Sequence, residues 1–301
     1  MTIEGVTSPG SSPAGRFLVT RVHVPEEKSR PRKVLSFMRA NPLFTVGVAL
    51  LVAFVGLAAI GPFLVGDPLR TNPAGMFTPP SADHWFGTDE YGRDVFARAV
   101  NAARLDLSIG LAIALVAMTI GSTIGVVAGY FGGRTDEIIM RLTDVLLAFP
   151  GFVLALIIVA ALAESLLNVV IAVAAAYVPY FIRLTRAQAL VEREQEYVDA
   201  ARLAGNSPIR IAFWHVMPNS LRPALVSATL VTGWAVLTVA GLAFLSVGIQ
   251  PPRAEWGVMV GEGAGDIITG EWWTSLFPGG MIVLAVMAFH FIGDDLMESR
   301  R

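Results

Sequence analysis

Residues 107–133 read LSIGLAIALVAMTIGSTIGVVAGYFGG, a run of apolar and small residues without a single Asp, Glu, Lys or Arg. About 20 such residues in a helix cross the hydrocarbon core of a bilayer, which is roughly 30 Å thick. Five further stretches of at least 18 residues are equally free of these charged residues: 40–66, 145–163, 165–182, 223–252 and 272–293. The sequence therefore predicts six membrane spans.

The composition and the continuity of these runs predict an all-α integral membrane protein. Hydrophobic residues make up 54% of the chain and charged residues 15%, with a mean hydropathy of +0.62, whereas soluble domains have about 25% charged residues. Within lipid, only helices and closed barrels form all the hydrogen bonds that the backbone N–H and C=O groups need. Barrel strands alternate polar and apolar residues, but these runs are continuously apolar. The absence of cysteine excludes disulfides and thiolate metal sites in this chain.

The distribution of basic residues predicts how the chain is oriented. If the N-terminal tail lies in the cytoplasm, the cytoplasmic segments hold 17 of the 22 Lys and Arg residues. Because Lys and Arg concentrate on the cytoplasmic side of membrane proteins, both termini are expected there. The division along the chain is then a disordered tail (1–35), a first transmembrane helix (36–66), an extracytoplasmic segment (67–106), a five-helix core (107–297) containing the cytoplasmic loop 183–222, and a cytoplasmic C-terminus (298–301).

Within the loop 183–222 the sequence predicts a helix, a turn and a second helix. Residues 192–204 are strong helix formers, and Gly205 stands where a helix ends in a left-handed cap. Ser207 is placed to cap the next helix, which would begin at Pro208 and be interrupted by Pro218.

The same hairpin carries small residues at Ala200, Ala201 and Ala204, which would let another surface approach its first arm closely. Two interpretations fit this pattern. The hairpin either rests on lipid headgroups or binds a cytoplasmic partner.

The hairpin sequence is similar to a known motif. The run EYVDAARLAG at residues 196–205, followed by WHVMPN at residues 214–219, resembles the EAA loop of bacterial ABC-importer permeases. That loop has an acidic residue followed by two alanines, a glycine four residues later, and a proline near the end of the second helix. Asp199 stands where Glu is usual and Met217 where Leu is usual, and both changes keep the charge or the bulk.

A second resemblance narrows the family. The run FGTDEYGRDV at residues 86–95 is similar to the segment before the second span in C-type permeases of the dipeptide, oligopeptide and nickel importers. Three shorter runs also resemble that group: GYFGG at 129–133, DVLLAFP at 144–150 and FLSVG at 244–248. The likeness extends roughly over residues 41–297.

These resemblances imply a type I ABC importer permease fold in a bacterial plasma membrane and a translocation pathway that opens alternately to each side. They imply three kinds of partner besides the bilayer, and no nucleic acid: a homologous second permease, two cytoplasmic ATP-binding subunits, and an extracytoplasmic substrate-binding protein or lipoprotein. ATP and Mg would be bound by the ATPase partners, so this chain would be non-catalytic and without a cofactor. The residues implied to contact the ATPase are Glu196, Asp199, Ala200, Ala201, Gly205, His215 and Pro218.

Other function classes are weighed on the residues themselves. A phosphate-binding loop of the Walker A type needs a lysine, and the only lysines are Lys28 and Lys33 in the tail. A channel or secondary transporter remains an alternative, although the spans lack the ionisable residues that ion coupling uses. No segment contains the grouping of nucleophile, base and acid that an enzyme would need. Short peptides are favoured as substrate over nickel, the alternative, because the spans lack clusters of acidic residues or His.

Two features outside the hairpin invite a metal-site hypothesis. His84, Asp89, Glu90 and Asp94 lie close in sequence, but a capped turn in which Arg93 pairs with a neighbouring carboxylate is the favoured interpretation. His290 lies inside the last span and is predicted to be a packed, hydrogen-bonded side chain rather than a ligand.

Overall fold

The computed structural model describes residues 41–298, so the predicted tail (1–35) and residues 299–301 lie outside the part described. The described residues from Leu43 onward form one compact unit. Between residues 41 and 298 the one β pairing is a single bridge of Thr88 with Asp94. The helices are α1 Pro42–Leu64, α2 Val95–Phe131, α3 Gly133–Leu147, α4 Gly151–Leu162, α5 Leu166–Glu192, α6 Glu196–Leu203, α7 Pro208–Phe244, α8 Trp256–Gly263, α9 Asp266–Thr269 and α10 Trp273–Glu298.

Five helices in the described part, α1, α2, α5, α7 and α10, are long and apolar enough to cross a membrane. The pair α3 and α4 makes a sixth span if its two halves are counted together, although they meet at an angle of 90°. The predicted all-α membrane fold is confirmed, and six spans agree with the structure when this bent pair is one of them.

The predicted third span (145–163) is not one continuous helix. The helix α3 ends at Leu147, and α4 begins at Gly151 after Pro150, which has the extended backbone angles φ −56° and ψ 128°. Proline has no N–H and disfavours helical geometry in the preceding residue, so the chain breaks here although it carries no charge. The 12 residues of α4 extend about 18 Å at 1.5 Å per residue, less than a full bilayer core.

The helices α2 and α5 pack with their backbones unusually close. Gly121, Gly125 and Gly129 recur every four residues along one face of α2, and a Cβ at any of them would lie within 2.9 Å of α5 atoms. Small residues at this spacing allow close helix packing where lipid provides no hydrophobic driving force. The stripe fixes α5 against α2, and α7 completes the core with the buried Val231 and Ala235.

The helix α7 is continuous through Pro218, so the prediction that this residue interrupts the helix is wrong. Residues Ile211–Val216 form a π-helical segment in which the Met217 N–H bonds to the Ala212 carbonyl, and Met217–Phe244 continues as α-helix. Proline is tolerated here because the change of hydrogen-bond pattern places it in the first turn of the following α-helical segment, where its N–H is not required.

The first arm of the hairpin is also shorter than predicted. The helix α5 continues past Arg183 and Arg186 to Glu192, and α6 begins only at Glu196 instead of 192. The turn between them is held by the Arg193 side chain, whose Nη1 donates to the Gly129 carbonyl at 3.0 Å. We call the end of the molecule that carries α6 the hairpin end, and the end that carries residues 65–94 and α8 the loop end.

Candidate functional site

The hairpin consists of α6, the turn 204–207 and residues 208–218 of α7. Gly205 has φ +78°, its N–H bonds to the Arg202 carbonyl at 3.0 Å, and the next N–H, of Asn206, bonds to the Ala201 carbonyl at 3.2 Å. The Ser207 hydroxyl accepts a hydrogen bond from the Arg210 N–H at 3.4 Å, and Pro208 is the first helical residue. The structure confirms both predicted caps.

The inward face of the hairpin packs on the membrane helices. Val198 and Ala201 of α6 lie against Ile211, Ala212 and Val216 of α7, and all five are buried together with Val126 of α2 and Ala189 of α5. This cluster holds both arms against α2 and α5. The hairpin is therefore a firmly seated part of the helix bundle.

The outward face of the hairpin is apolar and uncovered. Leu203 is 90% exposed, Trp214 78% and Ile209 65%. Charged side chains stand beside these residues, since Asp199 and Arg202 form an exposed ion pair at 2.8 Å on the same short helix. Hydrocarbon would not accommodate this pair, and exposed apolar side chains flanked by polar residues are typical of an interaction surface.

A polar network braces the hairpin from the side. The Tyr197 hydroxyl donates to Glu192 Oε2 at 2.7 Å and accepts from Asn219 Nδ2 at 3.2 Å, which links α5, α6 and α7. Partial burial, and then the hydrogen bond to Glu192, raise the pKa of Tyr197 above its usual value. Arg202 Nη2 also reaches the Arg193 carbonyl at 3.4 Å, across the turn between α5 and α6.

The residues predicted to contact a partner differ in their exposure. Glu196, Asp199, Ala200, Gly205 and Pro218 are exposed, His215 is half-buried, and Ala201 is buried in the inward face. Ala201 thus packs within the chain, whereas Ala200 is on the open side. Leu203 was not among the predicted contact residues, although an apolar residue at an exposed helix position beside Asp199 and Arg202 indicates a contact surface.

Two ion pairs connect α5, which leads into the hairpin, to α3. Arg186 makes a bidentate contact with Asp136, with Nη2 2.6 Å from Oδ2. Arg183 Nη2 lies 2.6 Å from Asp144 Oδ1. A movement of the hairpin-bearing end of α5 would therefore pull on α3.

At the loop end, four charged side chains form a buried network. Arg98 Nη1 lies 2.7 Å from Asp89 Oδ2, and Arg98 Nη2 lies 2.7 Å from Glu262 Oε2. Arg93 bridges the same two carboxylates at 2.6 and 3.2 Å. The network ties the turn that precedes α2 to α8 and explains the conspicuous charges of residues 86–95.

Asp94 and His84 of this turn are structural too. The Asp94 carboxylate caps α2 by accepting from the Ala97 N–H at 2.7 Å, and it pairs with His84 Nδ1 at 2.7 Å. Among residues 41–298 there is no group of three or more His, Asp or Glu side chains placed to hold a metal ion. The favoured interpretation of a capped turn with Arg93 paired to a neighbouring carboxylate agrees with this geometry.

Beside this network, two acidic side chains help to fix α8 to α2. Asp106 Oδ2 accepts from the Trp256 N–H at 3.0 Å, and Glu255 Oε2 caps α8 by accepting from the Val258 N–H at 2.6 Å. Burial raises the pKa of Glu255 to about 7. The Trp256 indole donates to the Ala99 carbonyl at 2.9 Å and so anchors the start of α8 on α2.

Comparison with known proteins places these features in context. Residues 121–301 match the model of the family described as binding-protein-dependent transport system inner membrane component. The chain is 42% identical over 269 residues (89% of this chain, 88% of the relative) to the dipeptide transport system permease protein DppC of Alkalihalophilus pseudofirmus. It is 41% identical over 258 residues (83% and 84%) to the di/tripeptide permease DppC of Pseudomonas aeruginosa, and 36% identical over 262 residues (87% and 86%) to the oligopeptide permease OppC of Bacillus subtilis.

Proposed function

Because the chain belongs to the family of binding-protein-dependent transport system inner membrane components, we propose that it forms half of the pathway through which an ATP-driven importer moves short peptides. The chain is a non-catalytic, multi-pass membrane subunit of a bacterial importer. A homologous second permease completes the pathway, and a substrate-binding protein or lipoprotein delivers the peptide from outside the cell.

The observation that carries the coupling part of this proposal is the outward face of the hairpin. Leu203, Ile209 and Trp214 form an apolar patch on two short helical arms that are held from behind by a buried cluster. A patch of this shape fits a groove on another protein. We assign that groove to a cytoplasmic ATP-binding subunit, one of the two in the assembly, which supplies both ATP and Mg.

The orientation follows from the same assignment. With the hairpin in the cytoplasm, 17 of the 22 Lys and Arg residues lie on that side, as the distribution of basic residues in membrane proteins favours. Both termini are then cytoplasmic. The loop end, with its charged network, faces the binding protein.

Peptides are favoured as substrate over nickel for two reasons. The relatives just described are named as transporters of dipeptides, di- and tripeptides, and oligopeptides. In addition, both ring nitrogens of His290 are engaged, since Nε2 accepts from Trp234 Nε1 at 2.8 Å and Nδ1 bonds to the Val286 carbonyl at 3.0 Å. Neither nitrogen is free to coordinate a passing cation.

The decisive test substitutes the turn residue of the hairpin. A Cβ at Gly205 would meet no atom within 4 Å, so Gly205→Val acts only through the left-handed backbone, where a non-glycine residue costs about 1 to 3 kcal/mol. We expect the turn to change, the apolar patch to lose its shape, and ATP-dependent uptake of a labelled dipeptide by proteoliposomes to be abolished. The same vesicles are assayed with nickel.

Two control variants separate this effect from general damage. Gly205→Asn should retain uptake, because Asn tolerates left-handed geometry. Gly265→Val should also retain uptake, since Gly265 is exposed in open space with an ordinary φ of −69°. Normal dipeptide uptake by Gly205→Val would refute the coupling role, and uptake of nickel without dipeptide would refute the substrate assignment.

A further inference from the structure

A band of polar and aromatic side chains crosses α5, α7 and α10 within the apolar part of the bundle. The Tyr177 hydroxyl lies 2.9 Å from Thr238 Oγ1, and the Trp234 indole donates to His290. The Tyr180 ring stands edge-on to the Trp234 ring, with centroids 6.2 Å apart. Tyr177 and Thr238 thus form one layer of the band, and Tyr180, Trp234 and His290 form the adjoining layer.

The band lies within the predicted span 165–182 of α5, toward the hairpin end. Tyr177 and Tyr180 are 11 and 14 residues beyond Leu166, the first residue of α5, which corresponds to about 17 and 21 Å at 1.5 Å per residue. A bilayer core is roughly 30 Å thick. Arg183, the first charged residue after the span, follows Tyr177 by six residues and Tyr180 by three, about 9 and 5 Å, so both tyrosines lie inside the span but in its hairpin-side half.

The band is nevertheless not closed off within this chain. All five side chains are half-buried rather than buried. In the described part of the chain, the Tyr180 hydroxyl has no hydrogen-bond partner. It is also not among the buried side-chain atoms without a partner, so this hydroxyl is accessible from the surface. Polar side chains at membrane depth face the bundle interior or a water-filled cavity rather than lipid. The open side of the band therefore meets water, a ligand or another subunit.

We propose that the open side of this band lines the translocation pathway and contacts the peptide in transit. This inference rests on the proposed function and adds the residues that touch the substrate. The Tyr180 hydroxyl can both donate and accept hydrogen bonds, which suits the amide groups of a peptide backbone, whereas the Thr238 hydroxyl already donates to the Trp234 carbonyl at 2.8 Å. The band carries no carboxylate, guanidinium or ammonium group, so it would accept peptides whatever the charge of their side chains.

The test uses the fact that the chain contains no cysteine, so single cysteines can be introduced without removing others. Tyr180→Cys and Thr238→Cys probe the band, and Val52→Cys, on the 66% exposed apolar surface of α1, is the lipid-facing control. Each variant is assembled with its partner subunits in proteoliposomes and treated with a membrane-impermeant, charged methanethiosulfonate. Uptake of labelled dipeptide is measured before and after treatment.

We expect both band cysteines to react at least about tenfold faster than Val52→Cys, because only a hydrated thiol forms the thiolate that attacks the reagent. Modification should block uptake, and a saturating dipeptide delivered by the binding protein should slow the modification. The near-isosteric Thr238→Cys keeps the test valid even if Tyr180→Cys assembles poorly.

Two outcomes would overturn the assignment. One is that the band cysteines react no faster than Val52→Cys, as expected for a face covered by lipid or by the second permease. The other is fast modification that leaves dipeptide uptake unchanged. Dipeptide uptake by the untreated variants is measured separately. A failure of the proposed peptide transport would appear in that measurement, whereas a failure of the pathway assignment would appear only in the labelling rates and in uptake after treatment.

Discussion

Arg98→Met removes one cation from the buried network at the loop end while keeping most of the side-chain volume. Arg98 is 1% exposed and contacts both Asp89 and Glu262 at 2.7 Å. After the substitution the two carboxylates share Arg93 alone, which reaches Glu262 only at 3.2 Å. One negative charge is then left without a matching cation in a site that has little water.

The magnitude follows from the burial of the partners. Breaking a buried ion pair by removing one member costs about 3 to 5 kcal/mol. The lower end, about 3 kcal/mol, applies here because Arg93 remains as a cation and the Glu262 side chain is 16% exposed to solvent. For a chain of this size that free energy corresponds to a decrease in Tm of about 6 to 12 °C.

The assay is thermal unfolding of the purified chain in detergent, with two companion variants. Arg98→Met combined with Glu262→Gln restores the charge balance and should recover at least half of the lost Tm. Arg141→Ala is the matched control, because Arg141 is 76% exposed in its pair with Glu137 and such pairs contribute about 0.3 to 0.5 kcal/mol. If Arg98→Met lowers the Tm no more than Arg141→Ala does, or if the double variant is no better than the single one, the network does not stabilise the fold as argued.

Two further predictions concern orientation and pH. Ala82→Cys should react with an impermeant thiol reagent in intact cells and Ala204→Cys should not, because we place residues 67–94 outside and the hairpin inside; the reverse labelling would invert the topology. Burial raises the pKa of Glu255 from 4.5 to about 7, so the folded chain binds this proton more tightly than the unfolded chain. Stability should therefore fall as pH rises from about 4.5 through about 7, and Glu255→Gln should flatten a plot of Tm against pH. An unchanged slope in that variant would rule out Glu255 as the titrating group.

The spans and the hairpin caps were predictable from sequence because each depends on local chemistry. Charge-free runs identify apolar helices, and Gly205, Ser207 and Pro208 each favour one backbone geometry at a helix end. The two proline errors have different causes. Pro150 breaks an uncharged run that hydropathy alone treats as one span, whereas Pro218 follows a π-helical segment that accommodates its missing N–H.

The loop-end network was only half predictable. Pairing of Arg93 with a neighbouring carboxylate is a local inference, and the Asp89 partner lies four residues away. Glu262 is 164 residues from Arg98 along the chain, so no local pattern indicates that they meet. For the same reason the sequence places the start of the second span at residue 107, whereas α2 begins at Val95. Arg98 and Asp106 look like the end of a span in sequence, yet both are buried by long-range partners.

The hairpin is joined directly to two of the three helices that carry the polar band, which gives the proposed coupling a direct physical route. The helix α5 carries Tyr177 and Tyr180 and ends at Glu192, immediately before the first arm, while α7 begins as the second arm and carries Trp234. Helices are stiff along their axes, and the buried cluster behind the hairpin joins both arms to them. A displacement of the outward face by an ATP-binding subunit would therefore move both sides of the Tyr180 and Trp234 contact together. The Arg183 and Arg186 ion pairs would pass the same movement to α3, which meets α4 at an angle of 90°.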